Sequence, residues 1–412
     1  MKVALVCDSM SAYGGAERVI EQILAVFPSA DVFAVVDVLP KGQRAFLGGR
    51  TVQTSFLQRV PGIQRSYRKL FPLWAMAVEQ LDVTGYDLVI SSHHSVAYGV
   101  LTRPGQVHVS YVHSPMRYAW DLQHQYLKEA GLARGLLSFI ARNALHRARM
   151  WDFVAAQRPD AVATNSAFIA GRLWHTHRRR SSVIHPPVAV RPTVGAEKED
   201  YYLSLGRLVP YKRTDLLARA FAAMPEKRLK IVGTGPDLKR IEALRIPNVE
   251  VLGFQPDEVV AKLLAGARAF LFGGIEDFGI SAVEAQAAGT PVIAYRGGGL
   301  LETVRGLEQS SPTGVFFEEQ SVPAIIAAVG RFEKNQHLIN TEACVANASR
   351  FGEHRFRQEF ARFVENALNE RDHIPGPALP AAPPDAEWTA EVRTRAVPAR
   401  RADLASLPGS PA

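Results

Sequence analysis

The feature that most restricts the fold is an alternation that runs, stops and starts again. Lys2 to Asp8 (KVALVCD) is an apolar run of strand length, followed by Gly14-Gly15 and a helical spacing from Ala16 to Phe27. Further strand-like runs occur at Asp31 to Val38, Asp87 to Ser92, Val107 to His113 and Ala161 to Asn165, with helical segments between them. Apolar strands alternating with helices belong to parallel sheets covered on both faces. Pro186-Pro187 through Glu199 is polar and proline-bearing, and reads as a linker. The alternation then restarts at Tyr201 to Gly206, Arg228 to Gly233, Val249 to Gly253, Ala267 to Phe272, Pro291 to Tyr295 and Gly314 to Phe317. At 412 residues the chain exceeds one ordinary core. The expected fold is α/β, with two Rossmann-like doubly wound parallel sheets facing a cleft.

These patterns divide the chain into 1–190, an N-terminal Rossmann-like domain, and 191–351, a second one. Residues 352–370 follow with Phe356, Phe360, Phe363, Val364 and Leu368 at helical spacing. Residues 371–412 are rich in Pro and Ala without sustained apolar periodicity, and are expected to be a disordered tail.

The apolar fraction, 47%, is that of a soluble globular protein. No window reaches 18 apolar residues, and the N-terminus reads as a strand rather than a charged-then-apolar leader. The expectation is a cytoplasmic protein, neither secreted by a signal peptide nor membrane-spanning. Cys7 and Cys344 have no metal-like spacing, and Cys7 reads as a buried thiol. The net charge of +8 admits anionic partners. No zinc-finger or RNA-recognition signature accompanies it, so no nucleic acid is expected.

The stretch Ala269 to Tyr295 (AFLFGGIEDFGISAVEAQAAGTPVIAY) reads as strand, loop, helix, strand. Glu276 and Glu284 lie eight residues apart across its loop-to-helix junction. Free backbone N–H groups from Phe278 to Ser281 make such a junction an anion site, with carboxylates nearby to hold hydroxyl groups. Gly206-Arg207-Leu208-Val209-Pro210-Tyr211-Lys212 places two cations beyond the first strand of the second half, on the side where α/β sheets bind ligands. Such cations neutralise a diphosphate leaving group. Tyr13-Gly14-Gly15-Ala16-Glu17 gives a glycine turn before a helix, where backbone approaches phosphate closely. His113 ends an apolar strand and opens the string His113-Ser114-Pro115-Met116-Arg117-Tyr118-Ala119-Trp120-Asp121. His93-His94 follow another strand; the structural reading is favoured, with a place at the border of the cleft as the alternative. No Asp-x-Asp occurs, and no zinc-ligand spacing.

Glu-x7-Glu around Phe278-Gly279 and before Glu284-Ala285 resembles the retaining glycosyltransferases of family 4, which have the GT-B fold. The Gly206-Arg207…Lys212 and Gly14-Gly15-x-Glu17 segments are similar to that family's patterns. The resemblance covers residues 1 to about 370. It implies that the final helix crosses back to the first domain. It also implies site roles: Arg207 and Lys212 on the donor diphosphate, Glu284 on the nucleotide ribose, and Glu276 and His113 on the transferred sugar. Backbone at Gly15, Phe278, Gly279 and Ile280 would complete the anion site. The string from His113 to Asp121 and the variant Glu276-Asp277-Phe278-Gly279-Ile280 look like a subgroup assigned GDP-mannose as donor. The expected acceptor is a glycan or a polyprenyl-linked oligosaccharide, as in cell-surface polysaccharide synthesis. The family's mechanism implies same-face attack assisted by the leaving phosphate, with no side-chain nucleophile, no metal and no cofactor. A GT-B enzyme with another donor (UDP- or dTDP-linked) and a non-catalytic sugar-nucleotide-binding protein are the alternative readings.

Two basic amphipathic segments remain. Residues 62 to 78 set Arg65, Arg68 and Lys69 beside Leu70, Phe71, Leu73 and Trp74, with Pro72 interrupting any helix. Residues 132 to 151 mix Leu136, Leu137, Phe139 and Ile140 with Arg134, Arg142, Arg147 and Arg149. They suit either contact with an anionic membrane surface, peripheral at the inner face of the plasma membrane, or core helices with a solvated face.

Overall fold

The computed structural model describes residues 1–190 and 197–372. The tail expected over 371–412 lies, from residue 373 onward, outside the described residues. Met1–Asn369 form one compact unit.

Among the described residues the strands form two sheets. The first holds β1 (Val3–Met10), β2 (Asp31–Asp37), β3 (Val52–Thr54), β4 (Leu88–His93), β5 (Val107–Val112), β6 (Ala161–Thr164) and β7 (Ser182–Val183). Its spatial order is β3-β2-β1-β4-β5-β6-β7, and every pairing is parallel. The second holds β8 (Tyr202–Leu205), β9 (Leu229–Val232), β10 (Val249–Gly253), β11 (Ala269–Phe272), β12 (Val292–Tyr295) and β13 (Gly314–Phe317). Its order is β10-β9-β8-β11-β12-β13, again all parallel. The two doubly wound parallel sheets expected from the alternation are present. β1 runs past Asp8 because Ser9 and Met10 also pair, with Val36 and Asp37.

Strand order decides where ligands go. In each sheet the winding reverses once, between β1 and β4 and between β8 and β11. Loops leaving the strands at such a reversal diverge and open a crevice. The first reversal involves the loops after Met10 and His93. The second involves Gly206 to Lys212 and Gly273 to Gly279.

The last helix, Glu353–Asp372, packs on the first sheet rather than the second. Phe356, Phe360, Val364 and Ala367 are buried with Val3, Leu5, Cys7, Val109 and Tyr111. Arg357 donates to Gln22 Oε1 at 3.0 Å on the first helix, α1 (Gly15–Val26). Each fully buried Phe contributes roughly 1.5–3 kcal/mol, so this apolar stripe ties the two ends of the chain together.

Two stretches differ from simple helices. Around Pro72 the chain is helical at Ile63–Ser66, 3₁₀ over Tyr67–Leu73 and helical again at Trp74–Glu79. Proline removes an N–H and forbids a continuous α-helix. The helix α2 (Leu136–Ala155) is continuous, yet Leu136, Leu137, Phe139 and Ile140 near its start are exposed, Leu136 by 76% and Phe139 by 68%. Ordinary core burial therefore does not account for this apolar group.

Candidate active site

The two crevices face each other. Gly15, where α1 begins, lies so near the second domain that a Cβ there would meet Ile280 Cδ1 at 2.9 Å. Ile280 opens the next helix used here, Ile280–Ala287. Gly279 precedes it in the left-handed region, φ 92°, which glycine adopts without strain. The opening N–H groups of that helix have no intrahelical partner. The Phe278 side chain is buried against Phe351 and His185, so only its backbone is available to a ligand.

Two of the expected donor-side residues, Lys212 and Glu276, meet directly here. Lys212 Nζ pairs with Glu276 Oε1 at 2.8 Å. Desolvation opposes the charge on Lys212, but Glu276 outweighs it, and the ammonium pKa lies above its ordinary value. The loops carrying these groups are packed backbone to backbone: a Cβ on Gly274 would approach Tyr211 O to 2.3 Å. Only glycine fits there, which is how one loop can hold the cation and the other its carboxylate. Arg207 is exposed, and among the described residues it forms no ion pair. Glu284 pairs with Arg18, which α1 presents from the other domain.

His113 directly follows β5, which ends one residue earlier than expected. Its Nε2 lies 2.9 Å from Ser92 Oγ, and its carbonyl accepts from Asn165 Nδ2 at 2.9 Å. Burial, and then the neighbouring His94, lowers its pKa to about 3. It is a neutral imidazole at pH 7, a hydrogen-bonding group rather than a cation.

The histidine pair read as structural divides in two. His93 is buried and stacks on Tyr98, with ring centroids 3.4 Å apart. His94 is half exposed, and its Nδ1 pairs with Asp8 Oδ2 at 2.9 Å. Asp8 is buried and also accepts the backbone N–H groups of His94, Ser95, Val96 and Ala97. Burial alone would raise the Asp8 pKa. His94 and these donors reverse that and hold it well below the usual carboxylate range. His94 lines a cavity of about 730 Å³ between the domains, with Ser9, Tyr118, Arg207 and Tyr211.

A set of contacts joins the domains beside this cavity. Asp277 pairs with Arg117, and with Arg172 at 3.3 Å, while its carbonyl accepts from Ser166 Oγ at 2.5 Å. Glu302 accepts from the N–H groups of Ala167 and Phe168 at 2.9 and 3.1 Å. It thus satisfies the start of the helix Ala167–His177 from the opposite domain. Sequence reasoning missed Arg18, Asp277 and Glu302. Arg18 directly follows the Gly-Gly-Ala-Glu segment, but its partner lies 266 positions away. Among the described residues, no group of three His, Cys, Asp or Glu is placed to hold a metal ion.

Residues 190–351 match the family described as glycosyl transferases group 1. A D-inositol 3-phosphate glycosyltransferase of Streptomyces scabiei is 30% identical over 230 residues, 47% of this chain and 51% of that protein. The chain spans about half the length of this curated relative. Sucrose-phosphate synthase of Thermosynechococcus elongatus superposes with a TM-score of 0.70 at 17% identity, over 90% of this chain and 100% of the other. Anabaena HepE in complex with UDP and glucose gives 0.65 at 18%, over 88% and 99%. At such identities the structural likeness establishes the fold, GT-B, and nothing finer.

Proposed function

We propose, from the premise of a glycosyl transferases group 1 domain on a GT-B scaffold, that the protein is a retaining glycosyltransferase using a nucleotide-diphosphate sugar. One observation carries this reading: Lys212 pairs with Glu276 beside the reversal of the second sheet, and Glu284 pairs across the domains with Arg18, next to the glycine loop of the first. In this reading Arg207 and Lys212 bind the diphosphate and neutralise the charge that grows as it leaves. The N–H groups at Gly15 and Phe278 to Ile280 add to that anion site. Glu284 takes the ribose hydroxyls, exchanging or sharing Arg18 as it does so. Glu276, held by Lys212, and neutral His113 take hydroxyls of the transferred sugar. The leaving phosphate assists same-face attack and receives the acceptor's proton, and no protein nucleophile is invoked.

GDP-mannose is the proposed donor, on the residues His113 to Asp121 and Glu276 to Ile280. A UDP-linked donor is the second reading, favoured by the UDP complex of HepE. Thermal stabilisation by GDP, UDP and dTDP separates them, because a ligand at 100 times its Kd adds about 2.7 kcal/mol of stability. The largest shift is expected with GDP, followed by transfer from GDP-mannose. A larger shift with UDP would move the assignment to a UDP-sugar. No shift with any of the three would remove the transferase reading.

The reaction is proposed to need neither metal nor cofactor, since Arg207, Lys212 and the helix start supply the positive field. Transfer should persist in EDTA. Loss of turnover restored by magnesium or manganese would show that a metal ion carries part of that charge.

The acceptor is proposed to be a glycan or polyprenyl-linked oligosaccharide reached at a membrane surface. No helix among the described residues is long and apolar enough to cross a membrane. The exposed group Leu136, Leu137, Phe139 and Ile140 instead sits beside Arg134 and Arg142, and Arg65 and Lys69 are exposed in the same domain. Each cation near an anionic leaflet is worth about 1 kcal/mol, and apolar side chains add their burial. Sedimentation with phosphatidylserine vesicles should retain the protein. Phe139→Ser with Arg134→Glu should release it while leaving nucleotide stabilisation intact. Wild-type protein that ignores such vesicles at low salt would reject membrane docking.

A further inference from the structure

The cavity between the domains has a chemistry of its own. Its walls include the rings of Tyr67, Phe71, Trp74, Tyr118, Tyr126 and Tyr211. Arg68, Arg207 and His94 face it, against one carboxylate, Glu129. The donor-side carboxylates Glu276 and Glu284 are not among its lining residues, and neither is Lys212. Arg207 alone is shared with the proposed diphosphate clamp. The cavity therefore lies next to the donor site rather than within it. Its size and its mix of apolar wall and few polar groups suit a small cyclic ligand.

Asp8 and His94 are the part that packing does not explain. A buried carboxylate is costly unless it is fully hydrogen-bonded. Here five donors converge on it: four backbone N–H groups and the His94 ring. The Asp8 carboxylate thereby holds both the backbone N–H and the ring Nδ1 of His94. The opposite edge of the imidazole, with Nε2, has no hydrogen-bond partner among the described residues, and the residue lines the cavity. The two residues sit at the sheet reversal, Asp8 within β1 near its end and His94 directly after β4. Other groups pack nearby. Ser95 Oγ, next along the loop, is 2.6 Å from Tyr118 OH, and Arg68 Nε donates to Tyr67 OH at 3.0 Å. These contacts leave the Arg68 guanidinium terminal nitrogens available at an exposed position.

We propose that His94, set in place by Asp8, and Arg68 recognise the acceptor in this cavity and select a sugar that carries a negative charge. The inference rests on the transferase reading and names the acceptor class for it. The aromatic walls receive the sugar ring. Arg68 and His94 meet the anionic substituent. Arg207, on the opposite wall, places the acceptor beside the leaving diphosphate. Asp8 is a positioning residue that acts through His94.

The test measures binding of three sugars to the full chain by calorimetry, with the best-stabilising nucleoside diphosphate at saturation so that the donor clamp is filled. The probes are glucose 6-phosphate, glucuronate and the neutral methyl glucoside. At least one anionic sugar is expected to bind tenfold or more tightly than methyl glucoside; which one does so separates phosphate from carboxylate. His94→Asn keeps a donor where Nδ1 met Asp8 and deletes the Nε2 edge. It should erase most of the preference, as should Arg68→Gln, both with unchanged melting temperature. His94→Gln, which restores a polar atom near the Nε2 position, should recover part of it. Lys212→Ala should keep the preference, because Lys212 does not line the cavity. Equal binding of all three sugars, no saturable binding of either anion, or a preference that survives both His94→Asn and Arg68→Gln would each overturn the proposal. So would a preference abolished by Lys212→Ala, which would put the anion in the donor clamp. Failure of the transferase reading is distinguished by the nucleotides: there, none stabilises the protein.

Discussion

Lys212→Ala is expected to lower kcat by about 100- to 1,000-fold, the scale for losing one preorganised stabiliser of developing charge. Two losses combine. In the proposed role the leaving diphosphate loses a cation already held in place, and Glu276 loses its 2.8 Å partner. Glu276 is partly buried, so its carboxylate becomes less favourable in the free enzyme as well. The variant should therefore show a modest fall in melting temperature together with a large fall in turnover. Lys212→Arg should recover stability better than rate. A guanidinium can still pair with Glu276, but the Gly274 contact leaves little room to re-aim it. Turnover of Lys212→Ala near that of the wild type would remove Lys212 from the diphosphate.

Asp152→Ala is expected to be the most destabilising of these single changes, by about 3–5 kcal/mol, the range for breaking a buried charged contact from one side. Asp152 lies on α2, on the side opposite its exposed apolar residues, and is fully buried. It accepts from Tyr98 OH, from Trp120 Nε1 at 2.7 Å, and pairs with His177 Nε2 at 2.9 Å. Removing the carboxylate strands three polar groups at once, and each unsatisfied one costs about 1–3 kcal/mol. Trp120 belongs to the stretch from His113 to Asp121, so the damage should reach the cleft. Chemical denaturation measures the first effect and transfer activity the second. Asp152→Asn should fall between, because an amide keeps one accepting oxygen but presents N–H to the donors that met the other. A denaturation midpoint for Asp152→Ala equal to that of the wild type would mean that the network relaxes without loss.

Much of the local structure around the candidate site was legible because its parts are local. The Gly14-Gly15 turn, Arg207 with Lys212, and Glu276 with Glu284 each sit within one loop or one loop-to-helix junction. Local chemistry (glycine where backbone must approach, cations beyond a strand end) leaves a short-range trace. The final helix was legible too, from the spacing of Phe356, Phe360 and Val364, although its target was supplied only by a family resemblance. The histidine pair shows where such reading stops. His93 and His94 are adjacent and identical in type, and nothing along the chain separates a core imidazole from one that faces a cleft. The difference is made by Asp8, 86 positions away from His94, whose neighbour His93 turns instead onto Tyr98.

The sequence by itself determined two parallel sheets and the helix that follows the second. These follow from apolar period and glycine placement, which act over a few residues. Only the tertiary structure decided which groups meet. Arg18 holds Glu284, Asp277 gathers Arg117 and Arg172, Glu302 caps a helix of the other domain, and Asp8 aims His94. It also decided that Leu136, Leu137, Phe139 and Ile140 stay exposed, where spacing allowed a core helix equally well. The physical reason is range. Secondary structure is written in neighbours along the chain, whereas pairing and burial depend on strand order and on how two domains close. Residues hundreds of positions apart come into contact only through that closure.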